Sequence, residues 1–345
     1  MLGPGAELSE GVMTVGELAP PGTPAATHPP GESDSEPFPG MVWVPGGTFL
    51  MGSDEHYPEE APTHRVTVDG FWIDRHTVTN REFAAFIKAT RYVTVAERAP
   101  DPSDYPGARP EMLRPASTVF VKPSRPVDLN DPYTWWTYIP GANWRHPQGP
   151  SSSVKRIPDH PVVHLAWDDV VAYALWAGKA IPTEAEWEYA ARGGLDGATY
   201  AWGEDFAPGG RWMANTWQGE FPIQNSRDDG YEGTAPVGRY PANGYGLFDM
   251  IGNVWEWTGD WYSNRHEAPE HACCGVSNPR GGAQRGSYDP REPIARIPRK
   301  VIKGGSHLCA PNYCRRYRPA ARMAQAIDTS TSHLGLRCIL RQERA

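Results

Sequence analysis

Short bursts of alternating apolar and polar positions open the folded part of this chain. Val42 and Val44 alternate, Pro45-Gly46-Gly47 turns the chain and Phe49-Leu50-Met51 returns, which predicts a hairpin. Val66 and Val68, then Asp69-Gly70, then Phe71-Trp72-Ile73 predict a second one. The period then lengthens. Thr79 with Glu82 forms a capping box ahead of Phe83, Phe86 and Ile87, so a helix starts near Asn80. A second helix is expected over residues 168–178, with Val171, Ala172, Ala174, Leu175 and Trp176 as its apolar positions. Thr183 with Glu186 caps a third, which Gly193-Gly194 ends. Residues 100–160 read as Pro-rich and irregular, with two aromatic clusters, and beyond Gly194 only loops and short strands are expected.

Residues 1–40 carry few large apolar side chains among Pro, Gly, Ser, Thr and Glu, so they are expected to form a disordered tail. Composition changes abruptly at Met41, and no repeat or second boundary follows. A single domain over residues 41–342 is therefore expected. The 345 residues include 36 Gly and 36 Pro, against typical usage of roughly 7% and 5%. That excess argues for a loop-rich α+β fold with little regular structure, in which the 14 Trp fix loops onto a core.

The net charge of −8 gives no electrostatic reason to bind nucleic acid. No apolar run approaches a membrane span. The start Met-Leu-Gly-Pro-Gly-Ala-Glu has neither a basic nor an apolar stretch, and five cysteines do not make a disulfide scaffold. The expectation is a cytoplasmic, bacterial, monomeric protein.

Three constellations carry possible chemistry. Cys309 and Cys314 are spaced too widely for a thioredoxin-like pair or a zinc knuckle, yet two thiolates can grip a soft ion such as Cu(I) and leave room for a third. Two buried thiols without a role fit the spacing equally well. Oxygen-bearing side chains gather at Asn215, Asn225, Asp228, Asp229 and Glu232, and again at Asp249, Asn253, Glu256 and Asp260. Such loops can hold Ca²⁺, or can be solvated turns. They lie elsewhere in the chain than the cysteines, so they are expected to act independently of them. Arg315, Arg316, Arg318 and Arg322 follow the cysteines, and ion pairing is the expected role for most. Glu184, Glu186 and Glu188 suit a helix start and are assigned no catalysis. The histidines show no H-x-x-x-H or H-E-x-x-H spacing, and Cys273-Cys274 reads as part of a non-catalytic insertion.

The stretches Gly304-Gly305-Ser306-His307-Leu308-Cys309, Asn312-Tyr313-Cys314-Arg315-Arg316-Tyr317-Arg318 and Ser332-His333-Leu334-Gly335-Leu336-Arg337-Cys338 closely resemble the C-terminal part of the formylglycine-generating enzymes, or sulfatase-modifying factors. Met41-Val42-Trp43-Val44-Pro45-Gly46-Gly47, Ala214-Asn215-Thr216-Trp217, and Gly252-Asn253-Val254-Trp255-Glu256-Trp257 agree. The resemblance implies a compact domain related to C-type lectins. It implies Cu(I) on Cys309 and Cys314, with Ser306 and Trp255 lining the oxygen and substrate pocket. One calcium would take the side chains of Asn215 and Asp229 and the carbonyls of Thr216 and Tyr231. A second would take the side chains of Asp249 and Glu256 and the carbonyls of Gly252 and Val254. The implied reaction converts the cysteine of a Cys-x-Pro-x-Arg motif in an unfolded or nascent sulfatase to Cα-formylglycine. The substrate cysteine joins as a third sulfur ligand, O2 is the oxidant and a thiol the reductant. A hydrogen leaves the substrate Cβ and the thioaldehyde hydrolyses. Pro319 stands where some secreted members have Cys, and Cys338 has no evident partner.

Two other classes stay open: a binding module on the same fold with idle cysteines, and a metal-free thiol–disulfide oxidase. Replacing either cysteine discriminates the first, and a Cu(I) chelator the second.

Overall fold

The computed structural model describes residues 38–266, 275–294 and 296–342. Most of the expected tail, and Cys273-Cys274, lie outside the described residues. In chain order the regular elements are β1 (Met41–Val44), β2 (Gly47–Met51), β3 (His64–Val68), β4 (Phe71–Asp74), α1 (Asn80–Thr90), β5 (Ala116–Phe120), β6 (Trp136–Pro140), α2 (Trp167–Trp176), α3 (Glu184–Arg192), β7 (Trp255–Trp261), β8 (Val276–Ser277), β9 (Arg299–Lys303), β10 (Arg322–Ala326), β11 (Leu334–Gly335) and β12 (Ile339–Arg341). The sheets run β1-β4-β12, β10-β9-β7-β11, β2-β3-β8 and β5-β6. This is a mixed α+β architecture dominated by loops, as the glycine and proline content requires.

The two expected hairpins are paired differently. β1 is antiparallel to β4, with Val44 opposite Phe71, and β2 to β3, with Gly47 opposite Val68. The two registers are continuous, so the four strands form one long bent hairpin whose tip is the loop 52–63. Asp69 and Gly70 lack the positive φ that a tight two-residue turn needs, so they bend the strand instead of reversing it. Opposite them, Pro45 withdraws a donor from the ladder. A Cβ at Gly46 would lie 2.8 Å from the Gly70 nitrogen, so the two bends touch and only glycine fits there.

The helices stand where their caps place them. Thr79 and Glu82 cap α1 reciprocally, Thr183 and Glu186 do so for α3, and Gly193 follows α3 in the left-handed region. The buried stripe of α2 differs from expectation. It is Asp169, Val170, Tyr173 and Ala174, while Leu175 is 73% exposed and Trp176 also faces outward. Counting apolar residues did not find that face, because Asp169 is buried as a cap that accepts from the Ala166 and Val95 N–H groups. The irregular 100–160 stretch contains β5 and β6, which its prolines concealed.

α1, α2 and the β7–β9 sheet enclose the main core around Phe83, Phe86, Tyr173, Trp257 and Ile302, and that core includes both Cys309 and Cys314. A second core lies between α3 and the bent hairpin, and a third is an apolar group of Trp135, Trp217, Phe221 and Leu308. The carboxylates of α3 are structural, as expected. Glu184 holds Arg322, Glu186 holds Arg341, and Glu188 binds Lys303, Arg192 and the Gly52 N–H.

Candidate active site

β9 ends at Gly304-Gly305, both with positive φ, and a Cβ on Gly305 would lie 2.8 Å from the Arg316 carbonyl. This close passage delivers residues 306–309 beneath the segment that follows Cys314. The Cys309 N–H donates to the Ser306 carbonyl at 2.9 Å and the Cys314 N–H to the Ala310 carbonyl at 2.9 Å. These two turns bring the sulfurs to 3.1 Å. That is well beyond the ~2.05 Å of a disulfide, and both thiols are free. Cys309 is 2% and Cys314 9% exposed, so one is sealed and the other sits at the edge.

The two sulfurs differ electrostatically. Cys314 is held down to about 6, first by the hydrogen bond from Cys309 and then, against burial, by the Arg316 guanidinium. Burial pushes Cys309 well up, and the charge of Cys314 adds to this. Of the two, Cys314 is the one that loses its proton more readily, and the Ser306 N–H lies 3.4 Å from the Cys309 sulfur. Ser306 is fully buried and its hydroxyl accepts from the Leu308 N–H. Trp255 shares the apolar cluster of both cysteines, and its N–H donates to the His333 carbonyl.

The arginines divide. Arg318 makes two bonds to Glu60 at 2.6 and 2.7 Å, and both partners are buried. Arg322 pairs with Glu184. Arg316 bonds Glu59 at 2.6 Å, lies 3.8 Å over the Tyr57 ring, and turns Nη1 to within 4.0 Å of the Cys314 sulfur. Tyr57, Glu59 and Glu60 all come from the hairpin tip. No sequence pattern ties that loop to the cysteines, so their part was missed.

Tyr313, 38% exposed, stacks on Phe221 at 4.6 Å and meets the edge of Trp135, forming an apolar shelf beside Cys314. Two cavities open nearby. One of about 620 Å³ reaches Glu59 and Arg316. A second of about 440 Å³ shares Tyr105, Asp328 and Thr329 with it as lining. The second is acidic, with Asp101, Asp104, Asp168 and Asp328 against Arg98.

The oxygen-rich loops, though elsewhere in the chain, adjoin the cysteines in space. Asn215 Nδ2 donates to Asn253 Oδ1, the His307 N–H donates to the Asn253 carbonyl, and the Trp217 N–H donates to the Cys309 carbonyl. Asn215 Oδ1 and Asp249 Oδ1 are buried with no partner, one in each expected calcium set. Asp229 receives the Thr216 and Tyr231 N–H groups and Gln218, which leaves one oxygen lone pair to spare. Burial pushes Asp249 up to about 6. Glu256 differs: its carboxylate is taken up by Arg337, Thr77 and Trp187, so it fits an ion pair better than a bound cation. Among the described residues no three His, Cys, Asp or Glu side chains converge as a metal site.

Residues 27–342 match the sulfatase-modifying factor enzyme 1-like domain. The chain is 54% identical over 301 residues to the formylglycine-generating enzyme of Mycobacterium tuberculosis, covering 87% of this chain and 97% of that one. It is 48% identical over 318 residues to the formylglycine-generating enzyme of Thermomonospora curvata, covering 90% and 96%. Among solved structures, PvdO from Pseudomonas aeruginosa shares the fold with a TM-score of 0.54 at 24% identity, over 87% of this chain and 93% of that one.

Proposed function

This chain belongs to the sulfatase-modifying factor enzyme 1-like family, and from that premise we propose that it converts the cysteine of a Cys-x-Pro-x-Arg motif in a sulfatase polypeptide to Cα-formylglycine, with O2 as oxidant. The observation that carries the reading is the buried pair of free thiols 3.1 Å apart. Cys309 and Cys314 would hold Cu(I), since two sulfurs without a hard ligand are the donor set that ion favours. When bound, copper supplies the one-electron chemistry with oxygen that thiols lack.

The chain's own groups bind and orient. The exposed ring of Tyr313, backed by the buried Phe221 and Trp135, offers the motif proline an apolar contact. The acidic cavity, with Asp101, Asp104, Asp168 and Asp328, suits the motif arginine. The hydrogen bond from Cys309 and then Arg316 favour the anionic form of Cys314, the Ser306 N–H lies against the Cys309 sulfur, and Trp255 belongs to the buried apolar cluster around the pair. The balance requires a reductant. The substrate carbon gives up two electrons as sulfide leaves, O2 takes four on its way to water, and two molecules of a thiol supply the other two.

We assign calcium a bracing role on Asn215 and Asp229 with the Thr216 and Tyr231 carbonyls, and on Asp249 with the Gly252 and Val254 carbonyls. The two unpartnered oxygens support it. A reducing cytoplasm suits Cys338, a buried free thiol. The test is to incubate the pure protein with copper, O2, a thiol and a Cys-x-Pro-x-Arg peptide and weigh the peptide. Aldehyde formation that stops with a Cu(I) chelator is expected, and an unchanged peptide would remove the reading.

A further inference from the structure

We propose that Arg316 balances the negative charge that accumulates when the substrate cysteine joins the thiol pair, so that it selects substrates presenting a thiolate at that point. The inference rests on the three-sulfur reading above. Two thiolates around a monovalent copper carry a net charge of minus one, and a third makes it minus two. A buried anion of that kind is costly unless a cation lies against it. Of the four arginines behind Cys314, Arg318 pairs with Glu60, Arg322 with Glu184 and Arg316 with Glu59. Arg316 is the one whose guanidinium also turns a nitrogen to a cysteine sulfur, Nη1 lying 4.0 Å from that of Cys314. Glu59 takes its Nη2 edge at 2.6 Å and leaves Nη1 facing Cys314.

The guanidinium is also kept from swinging away. It lies 3.8 Å over the Tyr57 ring, and the Tyr57 hydroxyl accepts from the neighbouring Arg315 N–H at 3.0 Å. The hairpin tip thus holds the guanidinium in place, with Glu59 on its Nη2 edge and Nη1 toward Cys314, before substrate arrives, and a preorganised donor is what an electrostatic selector requires. A serine in place of the substrate cysteine brings no charge, so it gains nothing from Arg316.

Anaerobic titration of the copper-loaded protein tests this without turnover, using a Cys-x-Pro-x-Arg peptide and its Ser-x-Pro-x-Arg analogue against wild type, Arg316→Gln and Arg316→Lys. The wild type is expected to favour the Cys peptide. Arg316→Gln, which can still bond Glu59, is expected to lose about tenfold in affinity for the Cys peptide (about 1.4 kcal/mol) and no more than about twofold for the Ser peptide. Arg316→Lys should retain most of the preference. If the Gln variant does not melt cooperatively, Arg316→Met supplies a second neutral form. An equal loss for both peptides, or an undiminished preference in the neutral variants, would overturn the proposal. A wild type with no preference would remove the three-sulfur reading, and this role with it.

Discussion

The backbone N–H of Trp217 donates to the carbonyl of Cys309 at 3.0 Å. Asn312 Nδ2 donates to the Phe221 carbonyl at 3.1 Å, so the segment 217–221 grips the cysteine loop at two points. Loops that are remote in the chain from the thiol pair are its immediate support.

The first prediction concerns calcium. A cation that binds only the folded state raises the unfolding temperature with the logarithm of its free concentration, by about 2.7 kcal/mol at a hundredfold excess over Kd. Asn215→Ala and Asp249→Ala are each expected to weaken that dependence. Stripping calcium is also expected to weaken Cu(I) binding, because the segment gripping Cys309 loosens. Identical melting curves with calcium and with chelator would exclude the brace.

Replacing either cysteine by serine is expected to collapse Cu(I) affinity in a chelator competition and to abolish aldehyde formation, since a hydroxyl is a poor partner for a soft ion. The fold should persist, because the Ser306 N–H can still donate to a hydroxyl at position 309. If one variant instead traps a mixed disulfide with the peptide, the chemistry is thiol exchange.

Acid lability follows from buried histidines. Burial holds His164 and His307 down to about 4 and His333 down to about 3, from 6.5. Between those values and pH 6.5 the unfolded chain binds more protons than the folded one, so stability falls as pH falls, by about 1.4 kcal/mol per pH unit for each group. Asp169, raised to about 6 by burial, acts in the opposite sense over pH 4–6. The single-residue comparison isolates the effect: the urea midpoint of His164→Gln is expected to drop less steeply from pH 6.5 to 4.5 than that of wild type. Parallel slopes would contradict the assignment.

The Glu60–Arg318 pair supplies a stability test. Both partners are buried, so Glu60→Ala leaves an unpaired guanidinium and is expected to cost about 3–5 kcal/mol. Replacing both, Glu60→Leu with Arg318→Met, should recover most of it. A double variant no more stable than the single one would show that the pair shapes the hairpin tip in a way apolar packing cannot.

Much of this was legible where the signal is local. Thr79, Thr183 and Gly193 mark helix ends through caps that involve a few neighbouring residues, and the cysteine spacing with its flanking motif located the thiol pair. What could not be read depends on contacts between distant segments. Asp69-Gly70 carries a turn signature, yet the positive φ that would make it a turn is absent, because β4 pairs with β1 and β12 instead. Tyr57 and Glu59 look like any loop residues until folding sets them against Arg316. Glu256 looks like a calcium ligand until Arg337, near the far end of the chain, occupies it.

That distance has a consequence for biosynthesis. β4 lies between β1 and β12, and β12 is residues 339–341. Arg337 neutralises Glu256, and the Cys338 N–H donates to Asp74. While a ribosome is still translating, the first hairpin has one flank bare and Glu256 has no counter-charge. The central sheet also lacks β11. Native closure therefore waits until residue 341 has left the exit tunnel, and the nascent chain must be shielded from its neighbours until then. The thiol pair, built on that closure, becomes competent only after synthesis has passed it.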